Sequence, residues 1–203
     1  MKIKLTQGEL KKQKDALRQY ERYLPTLQLK KQQLQIEILH QQSAQIEREN
    51  SLIEKERESE NWIGLLVEAP EIRQWLIPEE IITGKKNIAG VDIPVFEQVT
   101  FVPADYDLFL TPLWVDAGLE LLREMVSLQE EIMVIKRGIS VLKHELRITS
   151  QRVNLFEKVK IPEAKEAIRT IKIYIGDQMT NAVGRSKITK SKIEEENFGE
   201  VAV

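Results

Sequence analysis

Residues 121–156 read LLREMVSLQEEIMVIKRGISVLKHELRITSQRVNLF. Apolar side chains recur there at alternating steps of four and three: Leu121, Met125, Leu128, Ile132, Ile135, Ile139, Leu142, Leu146, then Val153 and Phe156. Thr149 is the one polar member of the series. A repeat averaging 3.5 residues keeps one seam of a helix turned to a partner helix and winds the pair into a left-handed supercoil. Between the seam positions stand Arg123, Glu124, Glu130, Glu131, Lys136, Arg137, Lys143 and Glu145, which suit a solvated face. At 1.5 Å per residue such a helix is roughly 60 Å or more long, too long to bury in a compact domain of this size. The stretch predicts a rod.

Composition agrees. The chain of 203 residues is 42% hydrophobic and 31% charged, and only 9 Gly and 7 Pro interrupt it, which favours long exposed helices. Its 30 basic and 32 acidic residues nearly cancel, so no global field draws it to nucleic acid or an anionic membrane. With no cysteine, disulfides, thiolate catalysis and cysteine zinc sites are excluded, as suits a reducing cytosol. No apolar run approaches the ~20 residues of a membrane span, and MKIKLTQGEL lacks a signal-peptide core. The expected location is cytoplasmic.

Outward from that stretch, a second heptad series occupies the N-terminal third. Leu10, Leu17, Leu24 and Ile38 are seven or fourteen residues apart, and Tyr20, Leu27 and Leu34 fill the complementary positions. The seam is expected to continue through Ile46 and Ile53, with Leu29, Ile36 and Leu39 alongside and Gln13 and Gln41 as polar register markers. Thr6 and Glu9 have capping-box spacing and place the helix start. Pro25 removes a helical hydrogen bond at a cost of about 3 kcal/mol and predicts a kink or short break near Tyr23–Leu24.

Between the two helices the texture changes. Trp62, Trp75 and Trp114 lie here, with Phe96, Phe101, Tyr106, Phe109 and five of the seven prolines. The run KNIAGVDIPVFEQVTFV, residues 86–102, alternates β-branched and aromatic residues around Gly90 and Pro94. It predicts a hairpin with one strand near Lys86–Ala89 or Val91–Ile93 and another near Val95–Phe101, its turn unplaced. An aromatic loop at 105–112 and a cap at Asp116 are expected before the second helix. Beyond Val159, Ile161-Pro162 predicts a break and immediate restart, and the seam resumes at Ala164, Ile168, Ile171, Ile175 and Ala182. The run after Gly184 is polar, and its last residues are expected to fray.

The fold expected is mainly α: a long antiparallel two-helix coiled coil with a small β-hairpin-containing insert at the turning end. Residues 1–60 form the N-terminal coiled-coil helix, 61–115 the insert, and 116–203 the C-terminal coiled-coil helix with its Ile-Pro break and frayed tail. Catalytic chemistry is missing. Gly84 and Gly90 belong to turns rather than a phosphate loop, and His40 and His144 lack partners at ligand spacing. No catalytic residue, metal or cofactor is expected. The aromatic residues Trp62, Trp75, Phe96, Phe101 and Trp114 are candidates for partner binding, because such residues anchor interfaces.

Residues 147–178, RITSQRVNLFEKVKIPEAKEAIRTIKIYIGDQ, carry a more specific signal. They resemble the signature of the D subunit of V-type (vacuolar and archaeal/bacterial A/V-type) ATPases. That pattern has an Arg-Arg-Val-Asn-Ala-Leu-Glu-like run, an Ile-Pro, and a helix containing Thr-Ile. Here Gln151, Arg152, Val153, Asn154, Leu155, Phe156 and Glu157 match with Gln for the first Arg and Phe for Leu; Ile161, Pro162, Thr170 and Ile171 follow. Near the N-terminus, Leu5-Thr6-Gln7 and the run from Leu27 to Leu34 occupy the places of the family's Leu/Lys repeats, with Gln32-Gln33 in place of Arg-Asp.

The resemblance implies a non-catalytic central-stalk rotor component. It would transmit torque between a catalytic head of A and B subunits and the membrane rotor, together with the small F subunit of the stalk and a rotor-socket subunit. It implies neither nucleic acid nor direct membrane insertion, and a place peripheral to a membrane complex. The alternative is a coiled-coil scaffold or chaperone-like adaptor unrelated to ATPases. A nucleic-acid-binding helical hairpin would need a one-sided basic stripe, which this sequence lacks.

Overall fold

The computed structural model describes residues 4–68, 71–107 and 111–200. Phe109 and part of the expected aromatic loop lie outside the described residues. The elements in order are α1 (Gln7–Ser59), a 3₁₀ turn (Ile63–Val67), α2 (Ile72–Trp75), β1 (Pro78–Ile88), β2 (Val91–Phe101), α3 (Trp114–Leu155), a π-helical turn (Phe156–Lys160) and α4 (Ile161–Glu200). They form two compact units, Leu29–Ser150, and Met1–Gln28 with Gln151–Val203.

In the first unit α1 and α3 run antiparallel. Lys30 Nζ donates to Glu145 Oε1 at 2.9 Å, Arg48 Nε to Glu131 Oε1 at 2.8 Å, and Lys55 pairs with Glu124. Descending numbers on α3 thus meet ascending numbers on α1. Leu34, Ile38, Ile93 and Leu142 make the buried centre, with Ile88, Ala89, Val91 and Leu146 packed around it. The hairpin is therefore folded back onto the helix pair, and its tip helps to close the core.

The hairpin is longer than the sequence reading expected. β1 starts at Pro78, and Ile88 pairs with Val91 across a two-residue turn of Ala89 and Gly90. Both turn residues have positive φ, 52° and 77°, the backbone that a type I′ turn requires. Ala89 adopts it at a cost of about 1–2 kcal/mol, offset by packing its methyl against the buried centre. Asn87 Oδ1 accepts from Gly90 N at 3.1 Å, which steadies the turn. Counting alternately from Ile88–Val91, Pro94 opposite Lys85 falls on a pair that exchanges no backbone hydrogen bonds, so its missing N–H costs the ladder nothing.

In the second unit Val153, Ala164, Ala167 and Ile171 are buried, and Leu10, Leu17, Tyr20, Leu24 and Leu27 are half-buried. Tyr20 stacks on Phe156 with centroids 5.4 Å apart, and Lys165 pairs with Glu21 at 3.4 Å. The helix start is as read: Glu9 N donates to Thr6 Oγ1 at 3.3 Å. The Glu9 carboxylate, however, accepts from Gln13 Nε2 at 2.8 Å and does not close the box.

Neither proline breaks its helix. α1 passes Pro25 without a break, and Thr26 Oγ1 donates to the Tyr23 carbonyl at 2.7 Å, adding a hydrogen bond beside the lost one. At Pro162 the helix widens instead of breaking. Ile161 N–H reaches the Phe156 carbonyl, five residues back, and the widened turn makes room where the proline ring would strike the Lys158 carbonyl. α4 runs on to Glu200, and the last three residues, where fraying is expected, lie outside the described residues. Ala182 is exposed and not a seam residue.

Candidate partner-binding surfaces

The seam residues of α3 divide by depth. Ile132, Ile139, Leu142 and Val153 are buried, whereas Leu121, Leu128, Ile135, Leu146 and Phe156 are half-buried. On α1, Leu34 and Ile38 are buried, but the expected continuation through Ile46 and Ile53 is wrong: both point outward, with Leu29, Ile36 and Leu39. The inward series is Leu34, Ile38, Gln41, Gln45, Arg48, Leu52, Lys55 and Ser59, none of them exposed. Polar side chains take over the seam and cross it as ion pairs with Glu131 and Glu124. Lys136 adds a pair with Glu49 at 2.9 Å; hydrogen bonds from Gln45 and Lys136 lower the Glu49 carboxyl below its ordinary pKa.

The aromatic candidates of the insert are drawn into a second core. Ile72, Val115 and Leu119 are its buried members, with Trp75, Tyr106 and Trp114 packed around them. Trp62 and Trp114 lie 6.1 Å apart between centroids, Trp75 and Tyr106 5.0 Å. Phe101 lies beneath the Arg123 guanidinium at 5.2 Å, while Phe96 is half-buried on β2. All five candidates keep part of their surface, but each is also committed to packing or held on the hairpin.

Sequence reasoning missed the residues that hold this core. Arg123 Nε and Nη2 donate to the Trp75 carbonyl at 3.2 Å, and Nη2 to the Val102 carbonyl at 2.7 Å, tying three segments together. Tyr106 donates its hydroxyl to Asp116, which raises the tyrosine pKa above its ordinary value. Asp116 sits in the first turn of α3, which starts at Trp114, so it anchors the loop instead of capping the helix. Gly118 lets the two indoles meet, since a Cβ there would come within 3.0 Å of Trp114 and 3.2 Å of Trp62. A glycine inside a strong helical pattern was the available signal. Nearby Val67 and Leu113 are 86% and 97% exposed, a more open apolar offering than any of the tryptophans.

The motif residues divide in the same way. Val153 and Ile171 are buried and Ile161 half-buried, so they pack their unit; Arg152, Asn154, Glu157, Pro162 and Thr170 are exposed. Farther along α4, Met179, Val183, Ile188 and Ile193 are exposed, and every described side chain from 185 to 194 faces solvent. α1 begins at Gln7, which with Leu5 lines a groove against Tyr174, Ile175 and Ala182. Among the described residues, no three His, Cys, Asp or Glu side chains are placed to hold a metal, and no helix is long and apolar enough to cross a membrane.

A profile of the family of ATP synthase D subunits matches residues 9–191. The chain is 48% identical over 197 residues to the V-type ATP synthase D subunit of Borreliella burgdorferi, covering 97% of each chain. It is 34% identical over 199 residues to the protein of that name from Chlamydia pneumoniae, covering 96% of this chain and 94% of the other. The Chlamydia felis protein of that name is 34% identical over 200 residues, with coverage of 95% and 94%.

Proposed function

The chain belongs to the family of ATP synthase D subunits, and from that premise we propose that it is the central-stalk rotor component of a V-type ATPase. It carries torque between a catalytic head of A and B subunits and the membrane ion-translocating rotor, with the small F subunit and a rotor-socket subunit as its stalk partners. It hydrolyses nothing itself. The observation that carries the reading is the set of apolar side chains on α4, Met179, Val183, Ile188 and Ile193, which stand exposed on more than one side of the helix.

A bearing inside a head must be gripped weakly at every angle. Buried ion pairs would favour one angle by several kcal/mol, whereas apolar contact is non-directional. Stiffness comes from the antiparallel seam: twisting α1 against α3 must disturb the Leu34–Leu142 core and the crossing pairs of Lys30, Arg48 and Lys55. The residual surface of Trp62, Trp75, Phe96, Phe101 and Trp114, joined by Val67 and Leu113, serves the stalk partner or socket.

Co-purification tests the assignment. The tagged full chain should bring down nucleotide-binding head subunits and a small stalk protein in fixed ratio. Recovery of a partner set lacking any nucleotide-binding protein, in cells making the ATPase, would favour the adaptor.

A further inference from the structure

The outward face of α1 is itself a heptad seam. Its apolar members, Leu29, Ile36, Leu39, Ile46 and Ile53, are 55%, 67%, 64%, 57% and 45% exposed. Gln32, Ser43 and Asn50 complete an unbroken alternation of steps of three and four on the side of the helix opposite Leu34 and Ile38. Solvating a face of this kind gains nothing for the free chain, and an uninterrupted 3.5-residue period suits a helical cover.

The order of the layers suits a second copy of the same helix. Read from either end, the seam has nearly the same pattern of apolar and polar positions. In an antiparallel pairing of two copies Leu29 meets Ile53 of the other copy, Ile36 meets Ile46, and Gln32 meets Asn50, so apolar faces apolar and amide faces amide. Only the central Leu39–Ser43 layers are mixed. The flanks agree, because His40 would then lie beside Glu47, and Glu54 beside Gln33. A parallel pairing would instead set His40 beside Gln35 and Glu47 beside Gln42, and so forgo the approach of His40 to Glu47.

We infer that the free chain forms an antiparallel dimer through this outer seam of α1, its occupant being a second copy of the chain. The dimer is independent of the torque reading, and would compete with any other partner for the same face.

Sedimentation velocity on the full chain over a concentration series tests it. The expected result is a monomer–dimer equilibrium. Ile36→Lys or Ile46→Glu alone should raise the dissociation constant at least about tenfold by placing a charge in an apolar layer. Both substitutions in one chain should restore association, because the introduced lysine of each copy faces the introduced glutamate of the other. Circular dichroism should be unchanged throughout, as both sites are exposed.

Because the chain has no cysteine, orientation can be read by oxidative cross-linking. A mixture of Gln32→Cys and Asn50→Cys chains should yield the mixed disulfide dimer, and neither chain alone should cross-link. A monomer at every concentration, a dimer indifferent to both charge substitutions, or cross-linking of like with like would each overturn the inference. A monomer would leave the stripe to a different partner.

Discussion

Gly118 and Gly138 lie on the same helix and answer to different neighbours. A methyl at Gly118 would press into both indoles, so Gly118→Ala should cost about 1–3 kcal/mol as an overpacked site. At Gly138 the nearest atoms, Ile93 Cβ and the Pro94 carbonyl oxygen, would be 3.8 Å from a new Cβ, an ordinary contact. There the helical preference for alanine should prevail, and Gly138→Ala should stabilise by up to about 1 kcal/mol. Thermal melts of the two variants, with tryptophan fluorescence to report the Trp62–Trp114 pair, separate the cases. A lowered transition and altered fluorescence are expected for Gly118→Ala only.

Among the elements, the seam between α1 and α3 sets the rigidity of its unit. Leu142 is fully buried, so Leu142→Ala should cost about 2–5 kcal/mol, as cavity-forming substitutions do. Ile46→Ala, on the outer face, should change the stability of the monomer by less than about 0.5 kcal/mol. Denaturant unfolding of dilute samples checks the contrast, and equal effects would place Ile46 in the seam after all.

That contrast shows what the sequence could and could not reveal. The apolar period located both long helices and their inner residues as far as Ile38. It then led outward to Ile46 and Ile53, because the inner seam turns polar at Gln41, Gln45, Arg48 and Lys55. A pattern of apolar residues cannot follow a seam held by ion pairs. The hairpin was legible as alternation, but its Ala-Gly turn lacks the usual Asn or Asp before glycine and so gave no mark. Prolines mislead for a related reason: a long helix supported along its length can absorb a lost hydrogen bond, as at Pro25, or widen a turn, as before Pro162. The packing of the insert's aromatics was hidden because Arg123, which organises them, reads as one more solvated charge.

At the scale of the whole molecule the central claim is rotation. If the chain is a shaft, bonding it to itself should be harmless and bonding it to the stator should halt turnover. Two cysteines placed where α1 faces α4 in the second unit, near Leu17, would make the internal bond. Ile188→Cys, on the exposed stretch of α4, paired with a cysteine in the catalytic head would make the external one. Disulfides need Cα atoms within about 7 Å, and with no native cysteine every bond formed is intended. The decisive measurement is the ATPase rate of the assembled complex as a function of the yield of the Ile188→Cys bond to the head. If the chain rotates, activity falls in proportion to that yield and returns on reduction, while the internal bond leaves it near normal. Full activity with the external bond complete would contradict rotation.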